Sequence, residues 1–433
     1  MKKKISVSLA IAIAIIAMTV TFSVTMIVAM RMFDKTVSDV NEKQVMYNKL
    51  AEIDKVSRDN FYTNIDDQTL YDMLATGYVA GLGDKNSKYY TAKQVEQQND
   101  IASGKLMGIG AEMVKDSSGY FRIVRITAGS PAEKSGLAKG MIVTKLDGTD
   151  LKATTADALK MMLYGESGTT LKVTCLVDNA EQEIDVQRSV FDQPTVELTM
   201  SDNVGYIKIS TFSADTASQL DYAINSAKSQ NAAALVFDVR NNSGGDLEYA
   251  AACIDLLCPA GTIVSGTYHD GETRVLYTSD EKSVSLPMVV LTNGNTASGA
   301  ELFAASVRDF NGGRIVGAKT AGKGTVQKRY MMSDGSAVDL TVAVLVPGKS
   351  TSFDGTGITP DYERAFSAEE EQAFYDYTVA DDPQIQRAVE VARSLAAGNT
   401  GNGPASSAPP ASSSVPTPSA APASAAAASS SAS

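Results

Sequence analysis

Ser298, Lys323 and Gln327, all within the stretch Asn293–Gln327, have the types and spacing to carry covalent chemistry together. A serine hydroxyl is a weak nucleophile until a neighbour takes its proton. Ser298 stands where an apolar strand, Leu286–Leu291, passes through Asn293–Ser298 into a helix read over Ala300–Asp309. At such a junction the hydroxyl can face a cleft, and the helix N-terminus favours negative charge there. Lys323 lies between Gly322 and Gly324, and a lysine acts as a base when burial keeps its amine neutral. Serine–lysine pairs are one variant of triad logic. Gln327 is placed to orient the lysine amine. Taken singly, these residues have plainer uses: serine is a favoured helix N-cap, and most lysines sit on the surface. A tetrahedral intermediate also needs donors for its oxyanion. The backbone N–H groups of Gly244 or Gly245, with that of Gly299, fall at the ends of neighbouring strands. The sequence does not separate Gly244 from Gly245.

Composition narrows the alternatives. The chain has one histidine, His269, in the polar turn Gly266–Gly271. A zinc site built on paired histidines is therefore not expected, nor is a histidine-based triad, and no metal or cofactor is called for. A net charge of −12 argues against nucleic acid as a partner, because phosphate binding needs a basic surface. Cys175, Cys253 and Cys258 are odd in number and form no disulfide framework; burial in the core is expected for all three.

With 433 residues the chain exceeds one ordinary core. Residues 1–35 carry Lys2–Lys4 and an apolar run, Ile5–Met30. That run is longer than the roughly 20 residues that cross a bilayer. It also exceeds the roughly 7–15 apolar residues of a cleaved signal peptide. The expectation is a single-pass cell-membrane anchor with a cytoplasmic N-terminus and extracytoplasmic working domains; the alternative is a removed leader and a secreted protein. Residues 36–95 read as a helical arm, serving either as a stalk or as a homodimer contact. Short strands and glycine turns fill 96–190, an α/β pattern of strand, loop and helix fills 191–365, and 366–397 is a helical segment. From 398 to 433 the chain is Ala, Ser, Pro and Gly, a composition expected to be disordered.

Within 96–190, Met107-Gly108-Ile109-Gly110, the segment Ser130-Pro131-Ala132 through Gly136-Leu137, and Ile142 followed by Asp147-Gly148 together resemble a PDZ domain. The resemblance implies that the loop formed by Met107, Gly108, Ile109 and Gly110 binds a peptide's terminal carboxylate while the adjacent strand edge pairs with the peptide. Two positions depart from the usual pattern, Gly140-Met141-Ile142 and Tyr164-Gly165.

Further on, R-N-N-S-G-G at 240–245, N-x-x-T-A-S-G-A-E at 293–301, G-K-G-T-V-Q at 322–327 and G-I-T-P-D at 357–361 follow in order. This set resembles the carboxyl-terminal processing (tail-specific) protease family over residues 60–395. The resemblance implies a multidomain α/β protein whose protease core is of the ClpP/crotonase type. It also implies that Ser298 is the nucleophile, Lys323 the general base and Gln327 the lysine's partner, with Gly244 or Gly245 and Gly299 as oxyanion donors. Substrates would be proteins with free, apolar carboxyl termini. T-A-S-G-A-E replaces the commoner S-A-S-A-S-E, and T-A-G-K-G replaces T-F-G-K-G, with the reactive positions intact. The reading from a different class is a non-catalytic PDZ scaffold that binds protein tails.

Overall fold

The computed structural model describes residues 7–102, 106–177, 180–191 and 194–398. The chain divides into two units, Met1–Tyr78 and Val79–Ser433. In the first, one helix runs Val7–Asn60 and another begins at Asp67, with Arg58 bonded to both Asp54 and Asp67 across the turn between them. Among the described residues no helix is long and apolar enough to cross a membrane, so the anchor expected over Ile5–Met30 is not supported. The expected disordered tail falls, beyond Gly398, outside the described residues.

The helical arm expected over 36–95 is helical to Asn60 and again from Ala92, with a separate helix ending at Ala80. Beyond it Lys88–Tyr90 is a strand, pairing antiparallel with the first residues of Ala337–Pro347: Lys88 with Asp339, Tyr89 with Val338, Tyr90 with Ala337. The sequence signal there is only three residues long, and its partner lies far away in the chain.

The PDZ-like domain is an antiparallel sheet in the order Ala111–Lys115, Phe121–Ile126, Ile142–Leu146, Thr170–Val177 and Ala180–Gln187. Alternation along Thr170–Val177 sends Leu171, Val173 and Cys175 into the core, where Phe121, Ile123 and Val186 meet them fully buried. The helix Ala156–Leu163 closes the domain, its first turn capped by the Thr155 hydroxyl.

The second domain has a six-stranded sheet in the order Val196–Ser201, Val204–Ile209, Ala234–Asp238, Met288–Thr292, Arg314–Gly317 and Tyr362–Glu363, parallel after its first strand. Every residue of Ala234–Asp238 and of Met288–Thr292 is buried, as near-continuous apolar runs require in a sheet covered on both faces. Leu235 and Phe237 face the helices Thr216–Ser229, Leu247–Asp255 and Gly299–Asn311, whereas Ala234 and Val236 face Pro383–Ala396. That last helix buries Ile385, Val389 and Val391, each contributing about 1.5–3 kcal/mol. Its start is fixed by Pro383 and by the Asp382 carboxylate, which accepts the N–H groups of Gln384 and Ile385 at 2.8 and 3.0 Å. A second, antiparallel sheet holds Lys88–Tyr90, Ala337–Pro347, Gly261–Tyr268 and Thr273–Ser279, with Thr325–Met331 pairing on Ala337–Pro347. His269 is in the exposed turn of its Gly261–Tyr268 hairpin, and the three cysteines are buried and unpaired.

Candidate active site

Two parallel strands end side by side, and the loops leaving them are bound to each other. Asn241 donates its N–H to the Asn293 side chain (3.0 Å) and accepts from Asn293 and Asn295 (2.8 and 2.9 Å). The Thr296 hydroxyl reaches Val239 O at 2.8 Å, and Ala297 N–H reaches Asn242 O at 3.0 Å. Beneath the first loop, Arg240 is fully enclosed. Its guanidinium meets Asp238 at 2.7 Å and Asp382 at 2.8 Å and lies over the Phe374 ring. Tyr206 donates its hydroxyl to Asp238 at 2.6 Å. Burial alone would raise the Asp238 carboxyl, but the Arg240 charge and the bonds from Arg240 and Tyr206 outweigh it and hold the group below its ordinary range.

Ser298 follows at the elbow between strand and helix with φ 57° and ψ −119°. An ordinary N-cap has an extended backbone with negative φ, and a non-glycine residue at positive φ stores strain of a kind that clusters at functional sites. The loop can hold this conformation because glycines flank it: a Cβ on Gly244 would lie 3.0 Å from Gly299 N and 3.1 Å from Ser298 Cβ. Gly244 and Gly245 both have positive φ, 102° and 135°. The two then diverge in a way the sequence does not show. Gly244 donates its N–H to the Asn242 carboxamide at 2.8 Å, whereas Gly245 lines a cleft of about 470 Å³ together with Ser298, Leu247, Val326, Gln327 and Leu345.

Glu301, fully buried one turn into the helix, joins this elbow to the lysine loop. One carboxylate oxygen accepts the N–H groups of Ser298 (2.9 Å) and Lys323 (2.8 Å); the other accepts from the Thr320 hydroxyl (2.5 Å) and Gly322 N–H (2.8 Å). Thr320 in turn accepts Ile358 N–H at 2.7 Å, which ties in the G-I-T-P-D segment. The reading of the sequence gave Glu301 no role, although it closes the T-A-S-G-A-E motif. A charged residue at the third position of an apolar-faced helix was the available signal.

Lys323 is half-buried, and among the described residues its amine makes no hydrogen bond or ion pair. Burial, helped by the nearby Lys88 charge and opposed by Asp84, moves it below the ordinary lysine range. Lys323 is not among the residues lining the cleft around Ser298. Gln327 does not bond to Lys323 as expected: its amide nitrogen donates to the hydroxyls of Thr325 at 2.8 Å and Thr341 at 3.2 Å.

In the PDZ-like domain, Gly108, Ile109 and Gly110 line a groove of about 440 Å³ with Leu159, Leu163 and Tyr164. Met107 instead pairs with Gly165 in a short ladder. Gly110 has φ 77°, and a Cβ there would fall 2.3 Å from Ser130 Cβ, so the turn admits only glycine.

Comparison with known proteins agrees with both domains. Residues 203–364 match the model of peptidase family S41, and residues 106–187 match the PDZ domain. The carboxy-terminal processing protease CtpA of Bacillus subtilis is 32% identical over 317 residues, which is 72% of this chain and 68% of that protein. The "Probable CtpA-like serine protease" of Staphylococcus aureus strain MSSA476 is 28% identical over 343 residues, 78% of this chain and 69% of that one. Among solved structures, the photosystem II D1 C-terminal processing protease aligns with a TM-score of 0.51 at 25% identity, covering 72% of this chain and 86% of its own. The chain belongs to peptidase family S41 and is a PDZ-containing, C-terminal processing serine protease.

Proposed function

We propose that the protease is an endopeptidase that takes substrates by their free, apolar carboxyl terminus and cleaves near that end through an acyl-enzyme on Ser298. Lys323 is the general base: it accepts the Ser298 proton as the hydroxyl oxygen attacks the peptide carbonyl, and returns it to the leaving amine. Water then attacks the ester by the reverse use of the same pair. Gly245 and Gly299 donate to the oxyanion. The Gly108–Gly110 loop holds the terminal carboxylate, and Leu159 and Leu163 receive the last apolar side chain.

The observation that carries the reading is the unpaired, half-buried Lys323 fastened by Glu301 to a serine of strained backbone. Hydrolysis of a quenched fluorogenic peptide with an apolar carboxyl terminus tests it. Ser298→Ala and Lys323→Ala are each expected to abolish turnover while leaving peptide binding intact, and turnover surviving in either overturns it.

An extracytoplasmic site of action, an N-terminal membrane tether and a homodimer belong to the same proposal. They rest only on Lys2–Lys4, the Ile5–Met30 run and the helical segments. Membrane fractionation and light scattering of the full chain test them.

A further inference from the structure

A segment outside both matched regions reaches the lysine loop. Asn86 donates its side-chain N–H to the Thr325 hydroxyl at 3.0 Å, the same oxygen that accepts from Gln327. Ser87 accepts Thr341 N–H at 3.1 Å and donates to Asp84 at 2.6 Å, and Asn86 N–H also goes to Asp84 at 3.1 Å. Because Gln327 bonds to Thr341 as well, these contacts close a ring: Asp84, Asn86, Thr325, Gln327, Thr341, Ser87 and back to Asp84. Both N–H groups of the Gln327 carboxamide are taken up in that ring. Its oxygen remains as the group that can accept from an amine.

Lys88 continues the segment as the first residue of the strand Lys88–Tyr90, facing Asp339 in register. Asp339 is already held by Arg329 in a two-pronged pair at 2.7 and 2.8 Å. Lys88, exposed, makes no ion pair among the described residues and adds a positive charge beside the lysine loop.

We propose that the segment Asp84–Lys88 is part of the active site: Asn86 and Ser87 are positioning residues that hold Gln327, and Lys88 sets the electrostatic surroundings of Lys323. The inference rests on the reading of Lys323 as the base. The charged groups about that loop are Lys88 and Asp84 from this segment, Glu301 at the backbone of Lys323, Asp354 at the backbone of Gly324, and the Arg329–Asp339 pair with Asp246 at the cleft. Of these, Lys88 and Asp84 act on the Lys323 amine in opposite senses, Lys88 favouring the neutral form. A second cation beside a catalytic lysine is a known means of activating it.

The test is steady-state kinetics of the full chain on the quenched peptide across pH. Asn86→Ala is expected to lower kcat about tenfold with KM unchanged, the size of one lost positioning bond. Combined with Gln327→Ala, it should be no worse than Gln327→Ala alone, since both act through one contact. Lys88→Met should move the acid limb of the kcat profile to higher pH, and in wild type raising the salt should move that limb the same way. Lys88 is exposed, so this variant carries the test where Asn86→Ala does not fold. Wild-type kcat in Asn86→Ala, additive effects in the double variant, or an unmoved limb in Lys88→Met each overturn the inference. Turnover in Ser298→Ala or Lys323→Ala would instead strike the underlying reading; their inactivity beside wild-type behaviour of the Asn86 and Lys88 variants strikes this inference alone.

Discussion

Replacing Glu301 by glutamine keeps the side chain's volume and exchanges one acceptor oxygen for a donor. Four donors converge on the native carboxylate, two on each oxygen. If the new NH2 faces Ser298 and Lys323, two backbone N–H groups lose their acceptor. If it faces Thr320 and Gly322, the Thr320 hydroxyl can turn and accept, giving up its own donor bond to residue 301, and the buried Gly322 N–H is left without a partner. The second placement is preferred. One unsatisfied buried donor costs about 1–3 kcal/mol, and the surviving bonds, no longer charge-assisted, lose about 1–2 kcal/mol more. A loss of roughly 2–5 kcal/mol corresponds to a fall in Tm of roughly 5–15 °C. Any relaxation moves the loop that carries Lys323 relative to Ser298, and a displacement near 1 Å is enough to cost about a hundredfold in rate. Calorimetry alongside single-turnover cleavage of the quenched peptide gives both numbers. A Glu301→Gln protein with wild-type kcat and Tm would falsify the view that this carboxylate fixes the geometry of the pair.

Lys323→Met removes an amine whose folded-state pKa is depressed by burial and by Lys88. Such a lysine destabilises the fold below the ordinary lysine range and ceases to do so as pH rises through it. The variant is therefore expected to melt no lower than wild type at neutral pH; a clear drop in Tm would mean that the lysine is structural. Arg240→Met leaves Asp238 buried without its counter-charge and should cost about 3–5 kcal/mol. In wild type the depressed Asp238 group contributes stability above the ordinary aspartate range, and this is lost as pH falls through its folded value. The variant should lose that acid sensitivity, which urea titrations at several pH values will show. Gly110→Ala collides with Ser130; it should raise KM for a long substrate more than it lowers kcat, whereas an equal loss in kcat alone would detach the groove from binding.

Much of the site was legible because its signals are local. A buried apolar strand running into a short loop and then an amphipathic helix identifies an elbow, and Ser298 is its last loop residue. Paired glycines at 244–245 likewise announce positive φ. What sequence did not settle depends on partners distant in the chain. Gly244 and Gly245 are the exception, and differ because Gly244 donates its N–H to the nearby Asn242 carboxamide, which only the folded loop brings into place. Glu301 looks like an ordinary first-turn acid until Thr320, Gly322 and Lys323 arrive to surround it. The strand Lys88–Tyr90 looks like the end of a helical arm because three residues carry no period and the pairing is with Ala337–Asp339. Gln327, four residues beyond Lys323, points its amide nitrogen elsewhere because two threonines compete for it.

The order of these strands along the chain places one domain inside the other. Lys88–Tyr90 belongs to a protease sheet, residues 106–187 form the PDZ domain, and the protease resumes with Val196–Ser201. The PDZ domain is thus an insertion within the catalytic body, tied at both ends, and not an appendage on one linker. Arg125 to Glu197 at 2.8 Å and Arg122 to Asp376 at 3.1 Å add further ties. On the proposed function, a peptide held there would stay within a bounded volume around Ser298, so its transfer would be governed by effective concentration and not by a second encounter from solution. Two attachments in place of one would then favour repeated engagement of one polypeptide before release.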